Sequence, residues 1–345
     1  MPHKNFVVVG KEPPPNRVKE HPVDEPRYDV DLIRRRIMGE FLYGAETKSG
    51  LLKRFVGTDG VIPSVLAAFR RRREASTFFT TGEDIAFRLM PMLMLAGWKG
   101  RVFSMVHASQ GGNSLKMAKL LGGRLVGKYF TVSAMQRDIL MRETGLGADQ
   151  IEFLYSNVDT VFYDPALVPP SDAPDYVFAC GQENRDYATL AQAGGSGSWP
   201  VRIQASGFFV AEDDPNAVLP ENVEINRTRL SFPDLRARYA GARFVVVPLR
   251  DVPYAAGVTG LLEAMAMGKA VIVTDTAGIK DYTGLDSLVC VPPGNAQALA
   301  EAIQRLWDDP ESCRRMGVAN REWVVANARV ELYADRIASC ILNQA

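Results

Sequence analysis

Short apolar runs alternate with amphipathic stretches along the first half of the chain. The apolar runs are four or five residues long and lie at residues 6–9, 77–80, 102–106, 129–132 and 151–154. Their length and their Val, Ile and Phe content are typical of strands buried in a parallel sheet. Stretches with helical spacing separate them, at residues 61–72, 84–95, 114–121 and 134–144. This alternation predicts a parallel sheet with helices on both faces.

A proline-rich polar stretch at residues 165–174 interrupts the pattern and is typical of a linker. The alternation then restarts, with strands predicted at 176–180, 201–205, 244–247, 270–273 and 288–291 and helices at 183–192, 232–239, 258–267, 296–307 and 310–325. We therefore predict an α/β protein with two Rossmann-like domains, residues 1–168 and 169–329, followed by a last helix within 330–345. Open α/β sheets bind ligands at the carboxyl ends of their strands. An active site is therefore expected in a cleft between the two sheets.

The charges cancel over the whole chain but not within its halves. The 345 residues include 40 Lys or Arg and 40 Asp or Glu. Residues 1–169 carry 24 basic and 18 acidic side chains, whereas residues 170–345 carry 16 and 22. Overall neutrality argues against a nucleic-acid partner, but the basic half suits an acceptor or a membrane surface with negative charge. Basic clusters at residues 34–36 and 70–73 fit peripheral membrane contact, with a solvated helix face as the alternative.

The sequence contains no clear metal-binding or targeting signal. Its four cysteines are scattered, which gives neither a zinc motif nor a disulfide framework. Asp29 and Asp31 form a D-x-D triplet, but an aspartate before an apolar run more simply begins a helix. The longest apolar stretch, residues 89–98, is about half a membrane span. The N-terminal apolar run is too short for a signal peptide, so a cytoplasmic protein is expected, at the inner membrane face if the membrane contact forms.

A glycine-rich helix start is the strongest chemical signal. A predicted strand at residues 244–247 is followed by a loop with Gly257 and Gly260, which leads into a helix rich in Ala, Leu and Met. The free N–H groups and the positive end of the dipole at such a helix start favour a diphosphate. Glu263 lies in the first turns of this helix, where its carboxylate can accept hydrogen bonds from ribose hydroxyls. The alternative is an ordinary solvated helix glutamate.

The segments around this helix resemble those of retaining glycosyltransferases of family 4, which have the GT-B fold. Residues 257–273 (GVTGLLEAMAMGKAVIV) are similar to the donor-binding core of that family. Residues 178–190 (FACGQENRDYATL) resemble the opening of its second domain. Residues 131–139 (TVSAMQRDI) and 157–165 (NVDTVFYDP) resemble the stretches that close its first domain, the latter following the pattern G-V-D-x-x-x-F-x-P.

The resemblance implies that a hexose passes from a UDP- or GDP-sugar to an acceptor hydroxyl with retention, without a cofactor or a required metal. It assigns the nucleotide sugar to the second domain and the acceptor, a small molecule, glycan or lipid-linked sugar, to the first, with the last helix packed on the first domain. The implied donor ligands are Gly181, Arg185, Gly257, Val258, Thr259, Gly260, Leu261 and Glu263. His107, Arg185 and Glu263 are the implied catalytic residues, with Arg185 on the leaving diphosphate and His107 near the transferred sugar.

Two departures from the family leave other functions open. The family has a glutamate at the donor sugar eight residues before the one that matches Glu263, and this chain has Ala255 there. The glycine pair after the first strand is also missing, since Gly10 is followed by Lys-Glu-Pro-Pro-Pro. A nucleotide-sugar epimerase of the same fold and a non-catalytic nucleotide-sugar-binding protein are the alternatives. For Arg185 alone, the alternative is a surface arginine paired with Glu183 or Asp186.

Polar residues at the ends of two predicted strands are candidates for the acceptor side. Glu83 and Asp84 follow the strand at 77–80, and Ser109 follows His107. Carboxylates at this place can bind acceptor hydroxyls or act as a base. The alternative is helix capping, with Thr81 as the cap and Asp84 three residues on. For His107 the alternative is a histidine with a purely structural role.

Overall fold

The computed structural model describes residues 4–15, 18, 24–44, 60–107, 122–169, 175–205, 219–252 and 254–344. These residues divide into two compact units, the first drawn from 1–22, 27–155 and 331–345 and the second from 23–26 and 156–330. Each unit contains one six-stranded sheet. All strand pairs of both sheets are parallel. The predicted α/β class with two parallel sheets is therefore confirmed.

The sheet of the first unit is buried on both faces. Its strands are β1 (Lys4–Val8), β2 (Glu40–Leu42), β3 (Ala75–Thr80), β4 (Arg101–Val106), β5 (Val126–Thr131) and β6 (Ile151–Phe153), in the order β2-β1-β3-β4-β5-β6. Four of its helices are α1 (Asp29–Arg36), α2 (Val61–Arg70), α3 (Glu83–Leu95) and α4 (Ala134–Thr144). Alternate residues of a strand point to opposite faces. Phe6 and Val8 accordingly belong to one buried cluster, and Val7 and Val9 to another.

The second unit repeats this architecture. Its strands are β7 (Val177–Cys180), β8 (Val201–Gln204), β9 (Val223–Asn226), β10 (Phe244–Val247), β11 (Val271–Thr274) and β12 (Leu288–Val291), in the order β12-β11-β10-β7-β8-β9. Its helices are α5 (Tyr187–Gly194), α6 (Phe232–Gly241), α7 (Val258–Ala266), α8 (Lys280–Thr283), α9 (Ala296–Asp308) and α10 (Pro310–Asn327). Strands β7 and β10 are neighbours at the centre of the sheet. The loops that follow these two strands therefore lie side by side at the carboxyl edge.

The last helix, α11 (Val330–Leu342), packs on the sheet of the first unit. Its buried residues Tyr333, Ile337 and Ile341 share a cluster with the strand residues Val7 and Phe79. A charged contact fastens the helix as well. Arg336 donates two hydrogen bonds to the Glu152 carboxylate of β6, at 2.5 and 3.0 Å.

Several elements differ from those predicted. Strands β2 and β9 are not among the predicted strands, because one is three residues long and the other (VEIN) alternates with polar residues. Helix α5 begins at Tyr187 and not at 183, because the Asp186 side chain caps it by accepting the Thr189 N–H at 3.1 Å. The helix predicted at 114–121 lies outside the described residues. No helix among the described residues has the length and apolar character needed to span a membrane.

The division between the units falls after Tyr155, whereas the predicted boundary was 168/169. Residues from 156 onward are held by contacts within the second unit. Val158 forms a parallel bridge with Arg329, and the Tyr163 hydroxyl donates to Glu263 at 2.8 Å. The proline-rich stretch predicted as a linker begins with a short 3-10 helix, Pro165–Leu167, which belongs to the second unit.

Candidate active site

Two loops at the carboxyl edge of the second sheet are joined to each other. The loop after β7 and the loop after β10 form an antiparallel bridge between Arg185 and Leu249. The Asp186 N–H also donates to the Pro248 carbonyl at 3.1 Å. Buried parallel strands beneath both loops fix where the loops begin. The edge is therefore a rigid platform for ligands, as expected for open α/β sheets.

Helix α7 begins at this platform with an uncapped N-terminus. Its N-cap is Gly257, which has a left-handed backbone (φ +86°) and no side chain to satisfy the first N–H groups. A Cβ at this position would lie 2.5 Å from a Leu249 methyl group, so only glycine fits. Gly260 lies in the first turn, and a Cβ at this position would lie 3.6 Å from a guanidinium nitrogen of Arg185. The first N–H groups and the positive end of the dipole are thus combined with a cation.

The Arg185 side chain is held by backbone carbonyls. Its Nε donates to the Cys180 carbonyl at 3.2 Å, and its Nη1 donates to the Glu183 carbonyl at 2.7 Å. A Cβ on Gly181 (φ +135°) would lie 2.3 Å from Nε, so the guanidinium occupies the space that glycine leaves. Within the described parts of the chain, Arg185 has no carboxylate partner. The alternative of a surface pair with Glu183 or Asp186 is therefore wrong.

Glu263 is held by two tyrosine hydroxyls and is not an ordinary solvated glutamate. Tyr163 donates to Oε1 at 2.8 Å, and Tyr239 donates to Oε2 at 2.9 Å. The Tyr239 oxygen also lies 2.7 Å from the Cys180 sulfur. A phenol has one proton to donate. Because Tyr239 donates it to Glu263, the Cys180 thiol must donate to the Tyr239 oxygen. The chain of hydrogen bonds therefore runs from Cys180 through Tyr239 to Glu263.

Burial keeps both donors of this chain protonated. It raises the pKa of Tyr239 well above its ordinary value, and the neighbouring Cys180 and Glu263 raise it further. Burial together with the Glu263 charge raises the pKa of Cys180 to about 12. Both groups are neutral hydrogen-bond donors near neutral pH. Tyr239 thus remains a donor to Glu263 over the whole physiological pH range.

Three of the residues around the site were not found from the sequence. Tyr163 takes the place of the Phe in the pattern G-V-D-x-x-x-F-x-P, and this match is the one sequence signal by which it could have been found. Tyr239 lies on α6, far from any motif. Tyr254 donates to a Glu183 carboxylate oxygen at 2.5 Å, next to Ala255. Burial and this bond raise the pKa of Tyr254 to about 12, so its hydroxyl holds the Glu183 carboxylate at the platform.

The carboxyl edge of the first sheet brings together His107 and Glu83. A Glu83 carboxylate oxygen accepts the His107 backbone N–H at 3.0 Å. The imidazole Nε2 lies 3.0 Å from the Thr81 carbonyl oxygen. A carbonyl only accepts, so Nε2 carries a proton and donates it to Thr81. The ring is exposed, as a substrate-binding role requires.

The other acceptor-side residues are not brought into this group. Asp84 Oδ1 accepts the Ile85 N–H of its own helix at 2.9 Å. The capping alternative for Thr81 is wrong, because the N-cap is Gly82 and the Thr81 hydroxyl contacts the Val8 carbonyl at 3.4 Å. Ser109 lies outside the described residues.

Asp31 of the D-x-D triplet and one basic cluster are explained by ion pairs. Asp31 is buried and accepts hydrogen bonds from Arg34 at 2.8 Å and from Arg35 at 2.6 Å. Arg36 pairs with Asp335 at 2.5 Å. Residues 34–36 therefore do not form a free basic surface. Within the described residues, no group of three or more His, Cys, Asp or Glu side chains is arranged to hold a metal ion.

Comparison with known proteins gives a family match over one part of the chain. Residues 187–309 match the family model of the group 1 glycosyl transferases. This segment contains α7 and the loop after β10, whereas the loop after β7, with Arg185, precedes it. A comparison with curated protein sequences found no match.

Solved structures match along the whole chain at low identity. The chain is 15% identical to sucrose-phosphate synthase from Thermosynechococcus elongatus, with a TM-score of 0.70 over 99% of each chain. It is 13% identical to HepE from Anabaena, solved with UDP-glucose, with a TM-score of 0.72 over 99% of this chain and 100% of that one. It is 11% identical to a UDP-forming trehalose-phosphate synthase from Burkholderia xenovorans, with a TM-score of 0.63 over 99% of each chain. The chain therefore has the GT-B fold, and its residues 187–309 form a domain that matches the group 1 glycosyl transferases.

Proposed function

We propose that the protein transfers a hexose from a UDP- or GDP-sugar to an acceptor hydroxyl with retention of configuration. The observation that carries this proposal is the placement of the Arg185 guanidinium beside the uncapped first turn of α7, with Glu263 in the second turn of the same helix. The solved complex of HepE with UDP-glucose supports a nucleotide-sugar donor, since that protein has the same fold.

The proposed donor site divides the nucleotide sugar between two groups of residues. The diphosphate lies at the N–H groups of Gly257, Val258, Thr259 and Gly260, beside Arg185 and Gly181. The Leu261 N–H, also expected there from the sequence, instead donates to the Gly257 carbonyl at 3.1 Å. The ribose hydroxyls bind to Glu263. A carboxylate oxygen can accept more than one hydrogen bond. A vicinal diol can therefore donate to both oxygens without displacing either tyrosine.

The chemical step places negative charge where this site is positive. The bond between the sugar C1 and the diphosphate oxygen breaks, and the acceptor oxygen bonds to C1 on the same face. The acceptor proton passes to the leaving phosphate. The charge that grows on the leaving group is stabilised by Arg185 and the helix dipole, which are already oriented before the reaction. The proposal needs no metal, so activity is expected to survive a chelator.

The first unit is proposed to bind the acceptor. The exposed His107 follows β4 next to Glu83, so both side chains are proposed to form hydrogen bonds with sugar hydroxyls. Asp84 is expected to contribute less, because its carboxylate is turned to its own helix. The acceptor class is a small molecule, a glycan or a lipid-linked sugar. A cytoplasmic location with peripheral contact to an anionic membrane stays a prediction.

A donor screen tests the proposal. Release of UDP or GDP from a panel of nucleotide hexoses is measured with and without candidate acceptors, and NMR of the product gives the anomeric configuration. Glu263→Ala and Arg185→Ala should each lower the donor affinity, whereas Glu301→Ala, on the exposed side of α9, should not. An altered nucleotide sugar formed without acceptor would indicate epimerisation instead. Inversion at C1 would contradict the proposed stereochemistry.

A further inference from the structure

The first unit has a cavity at the edge of its sheet opposite to His107 and Glu83. Its volume is about 620 Å³, and its wall is formed by the residues around the start of β3, by the loop before β4 and by Gln344. Because both strands start there, this is the amino edge, whereas His107 and Glu83 lie at the carboxyl edge. The cavity is thus separate from every residue assigned to the donor or the acceptor.

The cavity wall is strongly basic. Four cations line it, Arg72, Arg73, Lys99 and Arg101, and none of the lining residues is acidic. Two of these cations donate hydrogen bonds to backbone carbonyls. Arg72 donates to the Phe69 carbonyl at 2.9 Å, and Arg101 donates to the Arg124 carbonyl at 2.6 Å.

The nearby carboxylates leave this positive charge uncompensated. Glu74 follows Arg73 directly in the chain, but its carboxylate pairs with Arg71 at 2.7 Å. Arg71 also forms an ion pair with Glu40, at 3.1 Å. Among the described residues, none of the four lining cations forms an ion pair. A cluster of like charges in one cavity is unfavourable unless an anion joins it.

Buried contacts hold the cavity wall in shape. The Trp98 indole N–H donates to the Ala75 carbonyl at 3.1 Å, and its ring packs on Phe78 with the centroids 5.2 Å apart. A Cβ on Gly100 would lie 2.2 Å from both the Trp98 ring and the Ser76 carbonyl, so glycine is required there. The Arg72 guanidinium is held over the Phe69 ring, 4.1 Å from the ring centre. The lining is therefore built on the start of the sheet.

The second unit provides an internal comparison. It too has a cavity at the amino edge of its sheet, of about 700 Å³, but that wall includes Asp175 and Asp234 beside its cations. Its lysine, Lys269, donates to the carbonyls of Ala240 and Ala242, both at 2.7 Å. Both units thus have a cavity at the amino edge of the sheet. Of these two cavities, only the one in the first unit is lined by cations without a carboxylate.

We propose that the basic cavity of the first unit binds a ligand with phosphate groups, independently of the nucleotide-sugar site. Guanidinium groups match pairs of phosphate oxygens, and Lys99 adds a point charge. The volume lies in the range of small-molecule sites. Either a soluble phosphate compound or the headgroup of an anionic lipid has this chemistry. The proposal does not depend on the glycosyl donor or acceptor.

Calorimetric titration with inorganic diphosphate tests the soluble source. The full chain carries Arg185→Ala in every sample, because this substitution weakens the proposed donor site for phosphate. In that background, Arg73→Gln with Lys99→Gln is expected to weaken diphosphate binding by about tenfold or more, since each lost contact is a hydrogen bond between charged groups. Arg137→Gln with Arg142→Gln, on exposed α4 positions, removes the same charge elsewhere and is expected to change little. The swap Arg73→Lys with Lys99→Arg keeps the charge and should retain binding.

Vesicle sedimentation tests the lipid source with the same variants. Phosphatidylcholine vesicles with and without phosphatidylglycerol serve as the probe, at low and high salt, because screening weakens exposed charge contacts. A selective loss of diphosphate binding in the cavity variant assigns a soluble ligand, and a selective loss of binding to anionic vesicles assigns a headgroup. Both results support the proposal. Equal binding by the cavity variant and the α4 control with both probes, or no binding of either probe by the unsubstituted cavity, would overturn it.

Discussion

Removal of the Tyr239 hydroxyl is expected to weaken nucleotide-sugar binding through Glu263. The hydroxyl is fully buried and donates to the Glu263 carboxylate at 2.9 Å, so Tyr239→Phe removes a hydrogen bond to a charged group. Such a loss costs about 1.5–3 kcal/mol of stability, or roughly 3–12 °C in Tm for a unit of this size. The Cys180 thiol loses its acceptor as well, which adds little because a thiol is a weak donor.

The effect on donor binding is smaller, because Tyr163 still holds the other carboxylate oxygen of Glu263. We expect the KM for the nucleotide sugar to rise by about tenfold, equivalent to ~1.4 kcal/mol. The kcat should change little, because a ribose contact is as strong in the ground state as in the transition state. Steady-state kinetics by nucleotide release give both constants. Thermal unfolding on the same samples gives the stability.

Tyr176→Phe is the matched control. Its hydroxyl donates to the Arg238 carbonyl at 2.7 Å and lies in the same unit. We expect a stability loss of about 0.5–1.5 kcal/mol with an unchanged donor KM. In a Glu263→Ala background, Tyr239→Phe should have no further effect on KM, since the residue acts through Glu263. A donor KM that is the same in Tyr239→Phe and Tyr176→Phe would refute the positioning role.

The remaining predictions concern the helix start, the phosphate contact and the last helix. Gly257→Ala is expected to destabilise the second unit by about 1–3 kcal/mol in urea unfolding, because the left-handed backbone and the 2.5 Å approach to Leu249 exclude a Cβ. Arg185→Lys should recover part of the donor affinity lost in Arg185→Ala, as measured by calorimetry with UDP or GDP, because it keeps the charge but loses the fork geometry. Burial acts to raise the pKa of Glu152. Hydrogen bonds from Arg336 and Lys128 outweigh this effect and hold the pKa below its ordinary value of 4.5. This stabilisation is present above pH 4.5 and is lost as pH falls through the lowered pKa, so Glu152→Gln should flatten the acid limb of a stability–pH curve.

Local signals determined the elements of the fold. Helix α4 was predicted at its observed bounds, because Ser133 caps its start and Gly145 ends it with a left-handed residue. The apolar runs were found because both faces of each sheet are buried, which makes the strands continuously hydrophobic. Strand β2 was missed, because three residues carry too little pattern. The glycine-rich start of α7 is also a local signal, because its two glycines lie within a few residues of each other in the chain.

Only the tertiary structure decided which polar groups meet. The two tyrosines on Glu263 come from positions 100 and 24 residues away in the chain. No spacing rule links them, because hydrogen bonds between distant elements depend on how the helices pack on the sheet. The basic clusters show the same limit. Charge counting gave one basic half, but folding neutralised residues 34–36 and Arg71 with nearby carboxylates. It left Arg72 and Arg73 to join Lys99 and Arg101, because the starts of β3 and β4 are neighbours in the sheet.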